Sequence, residues 1–151
     1  MSPGEIDVDV VRRHLFALDE ALRTLRKHRD LTVSDLESDQ EKRWIVERGL
    51  QLCAQNVLDV ATHIAASTGH DVPDYAAAID RLVDAGVLPR HFAARFRALA
   101  GFRNVLVHGY LEVDVAIVHR LLTDDLADFT EFARHVNAFI SRQQDEPGTR
   151  K

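Results

Sequence analysis

Cysteine occurs once in this sequence, at Cys53, so an intrachain disulfide is excluded. No CxxC pair exists either, which removes zinc-ribbon and dithiol redox chemistry. Cys53 stands in a helical pattern among Leu50, Leu52 and Val57, where a small buried hydrophobe is the expected role. Turn formers are scarce, with seven glycines and four prolines, which disfavours a sandwich of many short strands and leaves room for long helices. No apolar run is long enough to span a bilayer. The opening Ser2-Pro3-Gly4-Glu5 lacks the basic-then-apolar pattern of a secretory signal. A cytoplasmic protein without a membrane role is therefore expected. Gly-rich phosphate loops and GxSxG elbows are missing, so no nucleotide cofactor or serine-hydrolase reading arises.

Excess positive charge is also absent. The formal net charge is −5, against the basic balance expected of a protein that coats duplex nucleic acid. One segment departs from that balance. Between Asp84 and Glu112 there is no carboxylate, yet the stretch holds Arg90, Arg95, Arg97, Arg103, His91 and His108.

With 46% hydrophobic and 28% charged residues over 151 positions, the chain has the composition and length of one globular domain. Helical periodicity dominates. Val11, Leu15, Leu18, Leu22 and Leu25 predict a first helix from Val8 to His28, followed by a polar loop from Asp30 to Asp39. Ile45, Leu52, Val57, Val60, Ala61 and Ile64 predict a second from Gln40 to Ser67, stopped by Gly69. Pro73 and Asp74 open a short third helix with Ile79, Leu82 and Val83 inward and Gly86 as its stop. Pro89 starts a fourth, with Phe92, Phe96, Leu99 and Phe102 buried, running through Arg103 to His108 and stopping at Gly109. Asp114 caps a fifth, to Gln143. The prediction is one all-α domain over residues 1–151, an antiparallel bundle of four to five helices, with 1–6 and 145–151 fraying.

The chemistry concentrates in Arg103-Asn104-Val105-Leu106-Val107-His108-Gly109-Tyr110. Arg103 and His108 lie about 140° apart around an ideal helix and about 7.5 Å apart along it, so they converge only at a distorted helix end or across two subunits. Gly109 permits the distortion. A helix C-terminus favours protonated imidazole, and an imidazolium beside a guanidinium suits a phosphodiester. Arg103 would hold a phosphate oxygen, while His108 would move a proton to or from the ribose. One histidine cannot be base and acid in a single step, which argues for a symmetric homodimer. An Arg paired to a carboxylate and a helix-capping His would give the same spacing. Asn104, polar in an apolar run, and Tyr110, just past the turn, favour the site.

Other groupings are weaker. Asp59 and His63, at i and i+4, could offer two metal ligands, but no third is evident, and an intrahelical pair or partial burial is the simpler reading; no metal site is expected. The remaining histidines are scattered. Trp44, the lone tryptophan, reads as a core or dimer anchor.

The run Arg103-Asn104-x-x-x-His108-x-Tyr110, ahead of a capped amphipathic helix, resembles the signature of HEPN-domain proteins, in particular the HepT toxin branch. The resemblance extends back through Glu47–Ile64, including Asp59 and His63, and through Pro73-Asp74-Tyr75. It covers roughly Trp44 to Phe139; the first forty residues match only as a helix followed by an acidic loop. It implies an all-α homodimer and a metal-independent endoribonuclease with Arg103 and His108 catalytic and Asn104 supporting. It further implies the toxin of a type VII-like toxin–antitoxin pair, acting on RNA. The partner would be a nucleotidyltransferase (MNT-type) antitoxin that attaches AMP to the tyrosine matching Tyr110. A HEPN module that binds a nucleotide or partner without cleaving RNA is the alternative.

Overall fold

The computed structural model of the chain describes residues 5–69, 72, 74–99 and 114–145; all regular structure among them is helical. Helix α1 (Val8–Arg26) begins where the Asp7 carboxylate accepts the Asp9 and Val10 backbone N–H groups. It buries Val11, Leu15, Leu18, Ala21, Leu22 and Leu25, the stripe its periodicity predicts. Arg23 and Arg26 occupy the last turn, where positive charge complements the helix dipole.

The expected polar loop contains a helix, α2 (Val33–Ser38). Two local features outweigh its acidity. Thr32 and Asp35 form a reciprocal capping box, with Thr32 Oγ1 accepting from the Asp35 N–H at 3.0 Å and Asp35 Oδ2 from the Thr32 N–H at 2.9 Å. Leu36, its one fully buried side chain, anchors the turn to the core.

Helix α3 (Gln40–Ser67) is the longest, capped by Asp39 and closed by Gly69 at φ +83°. It runs antiparallel to α1: Asp7 meets His63 at one end, and Leu25 meets Gly49 at the other. The buried residues are Val46, Leu50, Cys53, Val57, Val60 and Ile64 with the small residues between them. Ile45 and Leu52, which the apolar pattern places in the same stripe, are instead 43% and 36% exposed. Apolar residues lie on more than one side of this helix, and α1 covers one side only.

Helix α4 (Tyr75–Asp84) is capped by Asp74 and ends at Gly86, φ +80°. Ile79 and Leu82 face inward as predicted, while Val83 is only partly buried. Helix α5 (Arg90–Phe96) starts after Pro89 and tightens at once into a 3₁₀ turn, Arg97–Leu99. The expected uniform helix from Pro89 to His108 therefore changes hydrogen-bond pitch at Arg97, and its later part lies outside the described residues.

Helix α6 (Val115–Arg120), capped by Asp114, passes through a π-turn (Leu121–Asp125) into α7 (Leu126–Asp145). The predicted fifth helix is thus present with a widened turn inside it. Four phenylalanines lock α5 to α7. Phe96 stacks on Phe92 at 5.1 Å and on Phe132 at 5.2 Å, and meets Phe129 edge-on at 5.7 Å. No helix among the described residues is long and apolar enough to cross a membrane.

Candidate functional site

Arg103, Asn104, His108 and Tyr110 lie outside the described residues. The structure describes what holds the two ends of their segment. On the entry side, α5 is fastened by the phenylalanine cluster and by charge. Arg95 reaches Asp128 at 3.1 Å and Glu131 at 3.2 Å, and its guanidinium sits 5.2 Å over the Phe92 ring. Glu131 also meets His135 Nε2 at 3.0 Å; that hydrogen bond, then Arg95, hold its carboxyl below the ordinary glutamate value. Arg97 pairs with Asp80 on α4 at 3.1 Å. On the exit side the Asp114 cap starts α6, which buries Val118.

This arrangement corrects the charge reading of the segment. The stretch from Ala85 to Leu111 carries no carboxylate of its own, but Arg95 and Arg97 draw theirs from Asp128, Glu131 and Asp80. Positive charge along the sequence is not positive charge in space.

A second polar cluster joins α1 to α3. Asn56, the one buried polar side chain among the described residues, donates from Nδ2 to the Leu52 carbonyl at 2.8 Å. Its Oδ1 lies 2.9 Å from His14 Nδ1, so hydrogen-bond logic puts the imidazole proton on Nδ1. Asp59 stands 3.8 Å from the same nitrogen and accepts from Gln55 at 2.9 Å. His63 Nε2 accepts the Asp7 backbone N–H at 3.0 Å. Asp59 and His63 are thus held by separate groups and not by each other, and no cluster of three or more metal-ligating side chains occurs among the described residues. Sequence reasoning left His14 among the scattered histidines. Its signal was its place on α1 between Val11 and Leu18, one turn along the buried stripe. Cys53 is buried as expected, and burial pushes its thiol up to about 12.

Trp44 does not belong to the core. It is 58% exposed and lines a groove of about 600 Å³ between α1 and α3, with Ile45, Arg48, Gly49 and Leu52 on one wall and Ala17, Glu20 and Thr24 on the other.

The family model of ribonuclease HepT-like proteins matches residues 18–136, a span that includes Arg103 to Tyr110. The chain belongs to the ribonuclease HepT-like family. Among its relatives, the tRNA nuclease HepT of Aphanizomenon flos-aquae is 26% identical over 143 residues, covering 93% of this chain and 97% of that one. The mRNA nuclease HepT of Shewanella oneidensis is 26% identical over 90 residues, 59% of this chain and 68% of that one. A tri-AMPylated Shewanella oneidensis HEPN toxin, solved in complex with MNT antitoxin, superposes with a TM-score of 0.74 at 21% identity. That superposition covers 86% of this chain and 98% of the toxin. YutE of Bacillus subtilis, a cytosolic protein of unknown function, superposes with a TM-score of 0.77 at 20% identity over 91% and 92% of the two chains. At these identities the superpositions establish a shared fold.

Proposed function

We propose that this chain is the ribonuclease toxin of a toxin–antitoxin pair and cleaves RNA without a metal ion. The observation that carries the reading is the family match across residues 18–136 with Arg103-Asn104-x-x-x-His108-x-Tyr110 inside it. The tRNA and mRNA nucleases among the relatives support it. Arg103 grips a non-bridging phosphate oxygen with two N–H donors and stabilises the charge that builds on the phosphorus oxygens. Asn104 supports that contact. His108 takes the proton from a ribose 2′-hydroxyl; the 2′-oxygen bonds to phosphorus and the bond to the 5′-oxygen breaks. The departing 5′-oxygen takes its proton from the His108 of a second copy, leaving a 2′,3′-cyclic phosphate and a 5′-hydroxyl. The active form is therefore a homodimer.

Silencing belongs to a nucleotidyltransferase antitoxin, as the AMPylated HEPN toxin bound to MNT antitoxin suggests by analogy. The Tyr110 phenol oxygen attacks the α-phosphate of ATP, pyrophosphate leaves, and the AMP phosphate then competes with RNA for Arg103.

The test is cleavage of single-stranded RNA in EDTA with analysis of the ends. A cyclic phosphate product is expected, and Arg103→Ala or His108→Ala lowers the rate by about a hundredfold or more. A strict need for a divalent ion, or activity that survives both substitutions, overturns the mechanism.

A further inference from the structure

We propose that Arg95 is a positioning residue for RNA cleavage: clamped to α7 by Asp128 and Glu131, it fixes the direction in which the chain leaves α5 for Arg103 and His108. This role deepens the functional reading above and rests on it for the chemistry.

The clamp is directional. Arg95 Nη2 donates to Asp128 Oδ1 at 3.1 Å and to Glu131 Oε1 at 3.2 Å, and its Nε reaches the same Asp128 oxygen at 3.3 Å. The other Glu131 oxygen, Oε2, lies 3.0 Å from His135 Nε2. The His135 ring in turn lies 5.2 Å from the Phe92 ring, and Phe92 carries the Arg95 guanidinium over its face at 5.2 Å. Arg95, Glu131, His135 and Phe92 therefore form a closed circuit of contacts between α5 and α7. Two residues on, Arg97 Nε meets Asp80 of α4 at 3.1 Å. The end of α5 is thus gripped from α4 and from α7, just ahead of Leu99, the last described residue before the Arg103 segment.

Adhesion of α5 does not require this clamp. Phe92 and Phe96 are already fully buried, with Phe96 packed on Phe129 and Phe132. Apolar contact is non-directional, so it holds two helices together while leaving small rotations cheap. Charge-assisted hydrogen bonds weaken steeply with angle. Because Arg95 is half exposed, at 51%, its ion pairs add little to stability. What they define is the rotation of α5. Leu99 is four residues from Arg103, so the two Cα atoms are at most about 14 Å apart. Over so short a tether a rotation of α5 moves Arg103, and a displacement of about 1 Å at a reacting group can cost about a hundredfold in rate.

Single-turnover cleavage of single-stranded RNA in EDTA, over a range of protein concentrations, separates the rate of the bound complex from RNA affinity. Arg95→Gln should lower that rate by about tenfold or more, while RNA affinity stays within about twofold of the parent. Its helical circular dichroism and urea midpoint should stay close to those of the parent. Arg95→Lys, which keeps the charge but not the forked geometry, should recover only part of the rate. Asp128→Asn should be slow as well, and combining it with Arg95→Gln should add no further loss, as expected of two halves of one contact. Arg90 is exposed at the start of α5, and Arg90→Gln, which removes the same charge, should cut at the parental rate. An Arg95→Gln chain as fast as the parent overturns the proposal. So does a rate loss that vanishes at saturating protein, which makes Arg95 an RNA contact, or one that follows a lowered urea midpoint, which makes it structural only. An Arg90→Gln chain slowed as much assigns the effect to net charge and overturns it too. A parent chain that cuts no RNA in this assay defeats the functional reading itself, and the positioning role falls with it.

Discussion

Gly49 and Leu25 bring α1 and α3 closer than any residue with a side chain would allow: a Cβ at position 49 would lie 2.6 Å from Leu25 Cδ2 and 2.8 Å from its Cγ. Leu25 is wholly buried and has little room to yield. A glycine inside a long helix costs about 1 kcal/mol in propensity against alanine, and this contact explains its presence.

Gly49→Ala should therefore destabilise the fold despite the better helix former. Overpacking of about 1–3 kcal/mol outweighs the propensity gain, for a net loss on the order of 1 kcal/mol. Leu25→Ala should cost more, about 2–5 kcal/mol, and adding Gly49→Ala to it should recover stability by filling the cavity. Urea unfolding of the three variants checks the order. A Gly49→Ala chain as stable as the parent, or a double variant worse than Leu25→Ala alone, contradicts the close approach.

The bond from the Asp7 N–H to His63 Nε2 ties the start of α1 to α3. His63→Ala removes the acceptor, and a loss of about 1–2 kcal/mol is expected. Amide exchange at Asp7 should accelerate more than at the centre of α1. Equal protection at Asp7 in both chains would mean that the amide is held by something else.

Two carboxylates in the α6–α7 segment should respond to pH with opposite sign. Glu131 is held below its ordinary value of 4.5 by the His135 hydrogen bond and by Arg95. Its contribution is complete above 4.5 and disappears as pH falls through the depressed value. Glu131→Gln should lower stability at pH 7 and flatten the loss on acidification below 4.5. Asp125 is pushed above 3.8 by burial, then by Asp128 and Asp124. Its charged form opposes folding, and the penalty is relieved as pH falls through the raised value. Asp125→Asn should raise the urea midpoint at pH 7 and gain little at pH 3. Parallel pH profiles for the two variants would contradict these environments.

Tyr110 gives the regulatory test. Tyr110→Phe should keep fold and nuclease activity, because the proposed cleavage step assigns the phenol no proton, and should escape silencing by the nucleotidyltransferase and ATP. Mass spectrometry of the wild-type chain should place AMP on Tyr110. AMP found elsewhere, with Tyr110→Phe still silenced, removes Tyr110 from control.

Helix identity was legible wherever one face alone met the core, as in α1, whose five predicted core leucines and valines are all buried. It failed where a short-range signal was overlooked. Thr32 and Asp35 spell a capping box within an acidic stretch that composition marks as loop. Burial was misread on α3, since Ile45 and Leu52 are apolar without being inside. Hydrophobicity alone cannot distinguish a core from an exposed apolar face. The run from Arg103 to Tyr110 carries residue types suited to phosphate binding and proton transfer, and it lies outside the described residues. The partners of Arg95 and Arg97 were not readable, because Asp80, Asp128 and Glu131 lie far along the chain and only the packing of α4 and α7 against α5 brings them in.

The π-turn at Leu121–Asp125 joins two buried patches, Val118 with the turn's own first residues Leu121 and Leu122, and Leu126 with Phe129 after it. An ordinary helix turns about 100° per residue, so one residue too many would swing everything downstream away from the core. The widened turn takes up that surplus locally. Chain length at this point is therefore partly decoupled from register: removing one residue between Leu121 and Asp125 converts the turn to regular helix with both patches still in phase. The same deletion in α1 or α3 has no such outlet and would rotate half a helix out of the protein. Length variation between relatives in this helix should collect at that turn.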